Sequence, residues 1–239
     1  MTPRFDDYID KIRSLPANPT DRDVVTSDFL LREEGLIEVY YAPLHGITTD
    51  AKIVIVGITP SAVQMRAAFT EARRLLHEDM KPPHLFKEIR RRMAFKGPMR
   101  TNLNDMLDKI GVAERLGLAS TTQLFDDASH LLHSTSALRY PVFNRGKNYT
   151  GSNPPIHRSP LLKSLLTSTL LPELDQVPDA LIVPLGKAVT TDALKIIGFD
   201  KERRVLRGFP HPSGGNGHRK AQFQREFRNL CGIVRAWNP

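Results

Sequence analysis

The feature that most constrains this chain is a repeated local order: an unbroken aliphatic run, a tight Gly/Pro turn, then residues at helical spacing. Ala51-Lys52-Ile53-Val54-Ile55-Val56-Gly57 is the clearest run. Consecutive apolar side chains leave no polar face, the pattern of a strand buried on both sides in a parallel sheet. Gly57-Ile58-Thr59-Pro60-Ser61 then turns the chain, and a helix is expected from about Ala62 to His77. Asp179 to Gly186 repeats the strand and turn, with a helix from Lys187 to Ile197 that stops at Gly198. His130 to Ala137 and Arg204 to Leu206 read as two more strands, and Asn102 to Ile110 as a helix stopped by Gly111. Phe5, Tyr8, Ile9 and Ile12 mark a short N-terminal helix, while Pro16 to Pro43 reads as irregular. Near the C-terminus, Phe223, Phe227, Leu230, Cys231 and Val234 share one helix face, as ordinary core packing requires. The expectation is an α/β fold whose ligand chemistry sits at the carboxyl edge of a parallel sheet. At 239 residues a single domain is expected, with residues 1–50 as N-terminal helix and lead-in and 51–235 as core.

The segment that points most directly to chemistry is Phe209-Pro210-His211-Pro212-Ser213-Gly214-Gly215-Asn216-Gly217-His218-Arg219-Lys220. Two prolines restrict the backbone around His211, and the glycines that follow let backbone N–H groups approach a ligand closely. The helix that begins after them offers a seat for phosphate. A surface turn with an exposed histidine is the plain alternative.

The chain carries 34 Lys and Arg against 26 Asp and Glu, a formal net charge of +8. From Lys201 to Pro239 nine basic residues face two acids, and Lys87 to Arg100 holds Arg90-Arg91-Arg92, Lys96 and Arg100 against Glu88 alone. Two such blocks beside one site suit a nucleic-acid backbone; each taken singly is also a common solvated helix face. Cys231 is the sole cysteine, so an internal disulfide and a four-cysteine zinc or iron–sulfur site are excluded. The histidines show no ligand-like pairing, and neither metal nor cofactor is expected. No apolar run is long enough to span a membrane and no secretory signal opens the chain, which fits a cytoplasmic protein.

Several of these segments, in this order, resemble the uracil-DNA glycosylase superfamily. The first is Ile53-Val54-Ile55-Val56-Gly57-Ile58-Thr59-Pro60. Phe95-Lys96-Gly97-Pro98 through Val112 and Ser134 through Pro141 follow, then Leu181 through Ala188, and last His211-Pro212-Ser213. The likeness spans roughly Tyr40 to Leu230. It implies a three-layer α/β/α sandwich around a four-stranded parallel sheet and an enzyme that flips a base out of DNA and hydrolyses its N-glycosidic bond. By the same resemblance, His211 is the donor to the departing base. Backbone N–H groups near Ile58 and Ser61 line the pocket, and Phe95 stacks on the base or is simply a core phenylalanine. Ser213, Gly214, Arg219 and Lys220 then meet DNA phosphates.

Two positions depart from the family pattern. Thr59 stands where active members carry Asp or Asn to position water; its hydroxyl can orient water but is no carboxylate base. Gln64, Glu71, Asn102 and Asn104 are possible substitutes, each also a plain helix-surface residue. Ser136 stands where an asparagine reads uracil, which removes an amide and enlarges the pocket. The basic, aperiodic stretch Pro141 to Pro160 supplies Asn144, Arg145, Asn148 and Tyr149 as possible contacts to a base adduct or to DNA. A bulky modified pyrimidine, such as those of some phage genomes, is therefore favoured over uracil, with antiphage defence as the setting. Repair of uracil or other deaminated bases, a catalytically silent DNA-binding member and a small-nucleotide-binding protein are the alternatives.

Overall fold

A computed structural model describes residues 3–93, 95, 97–200 and 202–239. Lys96 and Lys201, counted above in the basic blocks, lie outside the described residues. A one-turn 3-10 helix, Phe5–Tyr8, leads into α1 (Ile9–Ser14) and α2 (Asp21–Val24), followed by strands β1 (Leu30–Glu34) and β2 (Ile37–Tyr40). Strand β3 (Ile53–Gly57) precedes helices α3 (Ala62–His77), α4 (His84–Met93), α5 (Pro98–Lys109) and α6 (Val112–Arg115). Strands β4 (Leu132–Ser136), β5 (Val142–Asn144) and β6 (Lys147–Asn148) precede α7 (Pro160–Asp175) and β7 (Leu181–Pro184). A π-helical turn, Val189–Ala193, runs into α8 (Leu194–Ile196), and α9 (Arg219–Ala236) closes the chain.

The protein is mixed α/β, with a three-stranded parallel sheet in the order β4-β3-β7. Ile53 of β3 is in register with Leu132 on one side and Leu181 on the other. The fourth strand expected at Arg204–Leu206 is reduced to one parallel bridge, Ile182 to Val205. Arg207 N–H turns back onto the Val205 carbonyl at 2.8 Å, so the chain leaves the sheet before a ladder can form. Alternate β3 residues feed two separate cores. Val54 and Val56 pack with Met65, Phe69 and Leu166 from α3 and α7; Ile53 and Ile55 pack with Leu103, Leu107 and Leu230 from α5 and α9. Helices thus cover both faces, as the run of apolar residues requires.

Two regions read as irregular are ordered. Strands β1 and β2 form an antiparallel hairpin, and β2 pairs with β5 through Ile37–Asn144, Glu38–Phe143 and Val39–Val142. Strand β6 completes a second, four-stranded antiparallel sheet in the order β1-β2-β5-β6. The stretch Pro141–Pro160 is therefore a hairpin for its first half rather than a free loop. Ile37-Glu38-Val39 does carry the apolar–polar alternation of a half-buried strand. Its partner lies about a hundred residues away, so the pairing has no local signal.

Candidate active site

The carboxyl ends of β3, β4 and β7 open into a cavity of about 510 Å³. It gathers Ile58, Thr59, Ser61, Phe95, Ser136 and His211, six of the residues singled out from sequence. Their convergence follows from the parallel sheet, which brings every strand's carboxyl end to one edge. Ser136 is in register with Gly57, and the β4 ladder continues past the strand ends through Ala137 N–H to Gly57 O and Leu138 N–H to Ile58 O.

His211 is held in one orientation. Ser213 N–H donates to its Nδ1 at 3.2 Å, and Asn216 Nδ2 donates to its carbonyl at 3.1 Å. An Nδ1 that accepts a hydrogen bond leaves the ring proton of the neutral tautomer on Nε2. Burial depresses the pKa of His211 below the ordinary histidine value, which favours that neutral form. Gly186, at φ +88°, lets the β7 turn pass against the ring: a Cβ there would lie 3.2 Å from the His211 Cβ.

The loop that carries His211 is braced from behind. Asn102 Nδ2 donates to Pro212 O at 2.9 Å, while Arg219 reaches both Ser213 O and Asn102 Oδ1 at 3.0 Å. In this arrangement Arg219 is a strut of the loop, with Asn102 as its partner; Asn102 does not line the cavity. Ser213 is part-buried, whereas Gly214 and Lys220 are exposed and open to a ligand.

Thr59 lines the cavity and is also bonded to the protein itself. Its Oγ1 donates to Tyr140 O at 2.9 Å and accepts from Val142 N–H at 3.0 Å, clipping the start of β5 to the end of β3. The hydroxyl proton is thus committed to the protein. Ser61 caps α3, accepting from Gln64 N–H, and Gln64 Oε1 returns to the Ser61 backbone, so Gln64 is a capping residue. Glu71 is bound by Arg74 and Arg92. Asn104 is buried in α5 away from the cavity wall.

Asn144 and Arg145 fall outside the cavity. Asn144 Nδ2 donates to Asn153 O, Arg145 occupies the exposed turn of the β5–β6 hairpin at φ 53°, and Asn148 Oδ1 accepts from Ala62 N–H at the start of α3. Tyr149 is buried, its hydroxyl on Pro154 O. The basic blocks are partly neutralised as well: Arg91 pairs with Glu88, Arg92 with Glu71 and Arg225 with Glu226.

Sequence reasoning missed the cationic side of the cavity. Arg90 and Arg139 line it together with Ser134 and Thr135. Arg139 ion-pairs with Glu173 of α7, a carboxylate only 2% exposed that also accepts from Thr135 Oγ1 at 2.7 Å. Burial alone would raise the Glu173 pKa; the nearby His133 imidazole, the charge of Arg139 and the hydrogen bond from Thr135 hold it below the usual carboxylate range. Arg90 was visible only as one of three consecutive arginines, and nothing in that triplet says which one turns inward. Among the described residues no carboxylate lines the cavity, and no group of three or more His, Cys, Asp or Glu is placed to hold a metal ion. No helix among the described residues is long and apolar enough to cross a membrane.

No family model and no solved structure matches this chain. Over 239 aligned residues it is 37% identical to the uncharacterized protein YoxB of Bacillus subtilis (strain 168), an alignment covering 95% of this chain and 93% of that relative.

Proposed function

The chain belongs to the family of YoxB, and we propose that it is a DNA glycosylase that excises a modified base, a bulky pyrimidine in preference to uracil. The observation that carries this reading is His211: a neutral histidine with Nδ1 occupied, in the wall of a cavity at the carboxyl edge of a parallel sheet. Bond cleavage places negative charge on the departing base, and a preoriented Nε2–H in a partly desolvated site stabilises that charge. With no carboxylate in the described wall, the rate gain comes from leaving-group stabilisation, with water adding to the sugar afterwards. Flipping the base costs a few kcal/mol of unstacking; Phe95 offers a stacking face at the cavity wall.

The preference for a bulky base rests on Ser136 and on space. One short hydroxyl cannot satisfy both a donor and an acceptor on uracil's edge, and unmatched polar groups are costly when buried. A cavity of about 510 Å³ leaves room for a ring substituent. In this reading the fold is a divergent uracil-DNA glycosylase-like sandwich with Val205 as a vestigial fourth strand, and the protein acts on DNA in the cytoplasm, in defence against phages with modified genomes. The direct experiment is incubation with duplexes carrying a panel of modified pyrimidines, followed by alkaline cleavage at abasic sites. His211→Ala should slow single-turnover excision by about 10²-fold or more, the scale for loss of one such donor. Excision at the parent rate removes His211 from the mechanism.

The commitment of the Thr59 hydroxyl to Tyr140 and Val142 favours a second reading, a DNA-binding member without excision activity. Base-selective binding with no abasic product from any duplex in the panel would establish it.

A further inference from the structure

A second cavity, of about 330 Å³, adjoins the first. Arg90 and Ser134 line both, so the two spaces meet at these residues. We propose that Arg90 is the anion-recognising residue of an extended pocket, and that the preferred base carries an arm ending in a negative charge that passes Ser134 toward the second cavity. This deepens the glycosylase reading and rests on it only for the identity of the ring that bears the arm.

The first support is that the protein is shaped around the Arg90 guanidinium. Its Nη1 donates to His45 O, and the next residue is Gly46 at φ +86°. The positive φ favours glycine at position 46, and a Cβ there would stand 2.2 Å from that Nη1, so a side chain would push the guanidinium from its present place. Such a fixed guanidinium is preorganised for carboxylate or phosphate oxygens.

The second support is charge balance. Arg139 is matched by Glu173, Arg92 by Glu71 and Arg91 by Glu88. Among the described residues Arg90 and Lys87 form no ion pair, and Asp50 is the only carboxylate lining the second cavity. His84 and His130 add donors to the same wall. Arg90 feels the charge of Glu173, itself shared with Arg139, without an ion pair to it; two cations that form no ion pair beside the single lining acid Asp50 favour an anionic occupant over an amine-tipped arm.

The test compares two free bases of matched shape, 5-(2-carboxyvinyl)uracil and 5-(2-carbamoylvinyl)uracil, titrated calorimetrically into the full-length protein. Charge-assisted hydrogen bonds to guanidinium predict about tenfold or greater preference for the carboxylate. Arg90→Gln should bring the two affinities within about twofold, and Lys87→Gln should narrow the ratio by a smaller factor. Equal affinities in the parent protein, binding of neither base, or a preference that survives both substitutions overturns the proposal. The parent comparison decides the matter even if Arg90→Gln fails to fold. Duplexes carrying the same two bases separate this idea from the enzymatic one. Binding of the carboxylate base with no abasic product leaves the subsite and removes the glycosylase; equal excision of both, with equal binding, does the reverse.

Discussion

Thr59→Val tests whether position 59 is a structural clip or a catalytic group. The substitution keeps shape and removes both hydrogen bonds, to Tyr140 O and from Val142 N–H. Both partners are buried, Tyr140 at 2% exposure and Val142 at 0%, so water cannot replace the lost hydroxyl without opening the packing. Each stranded backbone group costs about 1–3 kcal/mol, which places the loss at about 2–6 kcal/mol. For a chain of this size that lowers the melting midpoint by about 4–24 °C. Thr59→Ser keeps the hydroxyl and should cost at most about 1 kcal/mol for one part-buried methyl. Urea unfolding of the parent and both variants measures the difference, and single-turnover excision by the serine variant should stay near the parent rate. A valine variant as stable as the serine one refutes the clip. A valine variant that stays folded under assay conditions and loses excision by about 10²-fold or more, with parent-like stability, refutes the claim that the hydroxyl only positions backbone.

Burial depresses the pKa of His211 and pushes that of His45 down to about 4, so both resist protonation in the folded protein while the unfolded chain takes up protons near pH 6.5. Stability should therefore be flat above about pH 6.5 and fall as pH drops below it, toward about 4 for His45; His45→Gln should flatten part of that slope in urea titrations from pH 7 to 4, and an unchanged slope would contradict the assignment. Gly186→Ala must place a side chain at φ +88° and 3.2 Å from the His211 Cβ; it should cost about 1–2 kcal/mol of stability, and the displaced ring should reduce excision by up to about 10²-fold. Full activity in a folded Gly186→Ala protein would show that His211 placement is not critical. Ser136→Asn should raise excision of uracil relative to a bulky pyrimidine in a competition assay, and an unmoved ratio would detach Ser136 from base selection.

The local sequence determined the central strand of the parallel sheet and its turn into α3, while the fourth strand it suggested at Arg204–Leu206 is a single bridge. Ile53-Val54-Ile55-Val56 can only be satisfied between two apolar layers, and its Gly/Pro turn followed by a Ser61 cap sets the strand-to-helix switch that the structure shows at Ala62. The histidine between two prolines was equally visible, since proline restricts its neighbours within the chain itself. Tertiary structure alone decided what depends on distant partners. The hydroxyl of Thr59 became a clip because β5 runs beside it, through pairing with β2 that no local pattern encodes. Arg219 became a strut because Asn102, 117 residues earlier, lies within reach. Of three consecutive arginines, Arg90 alone lines both cavities and bonds His45 O beside Gly46, while its neighbours meet Glu88 and Glu71. Local conformation follows from steric and solvation preferences carried by neighbouring residues. The partner of a polar side chain is set by which segments the folded backbone brings within about 3 Å of it, and that distance is not written in sequence order.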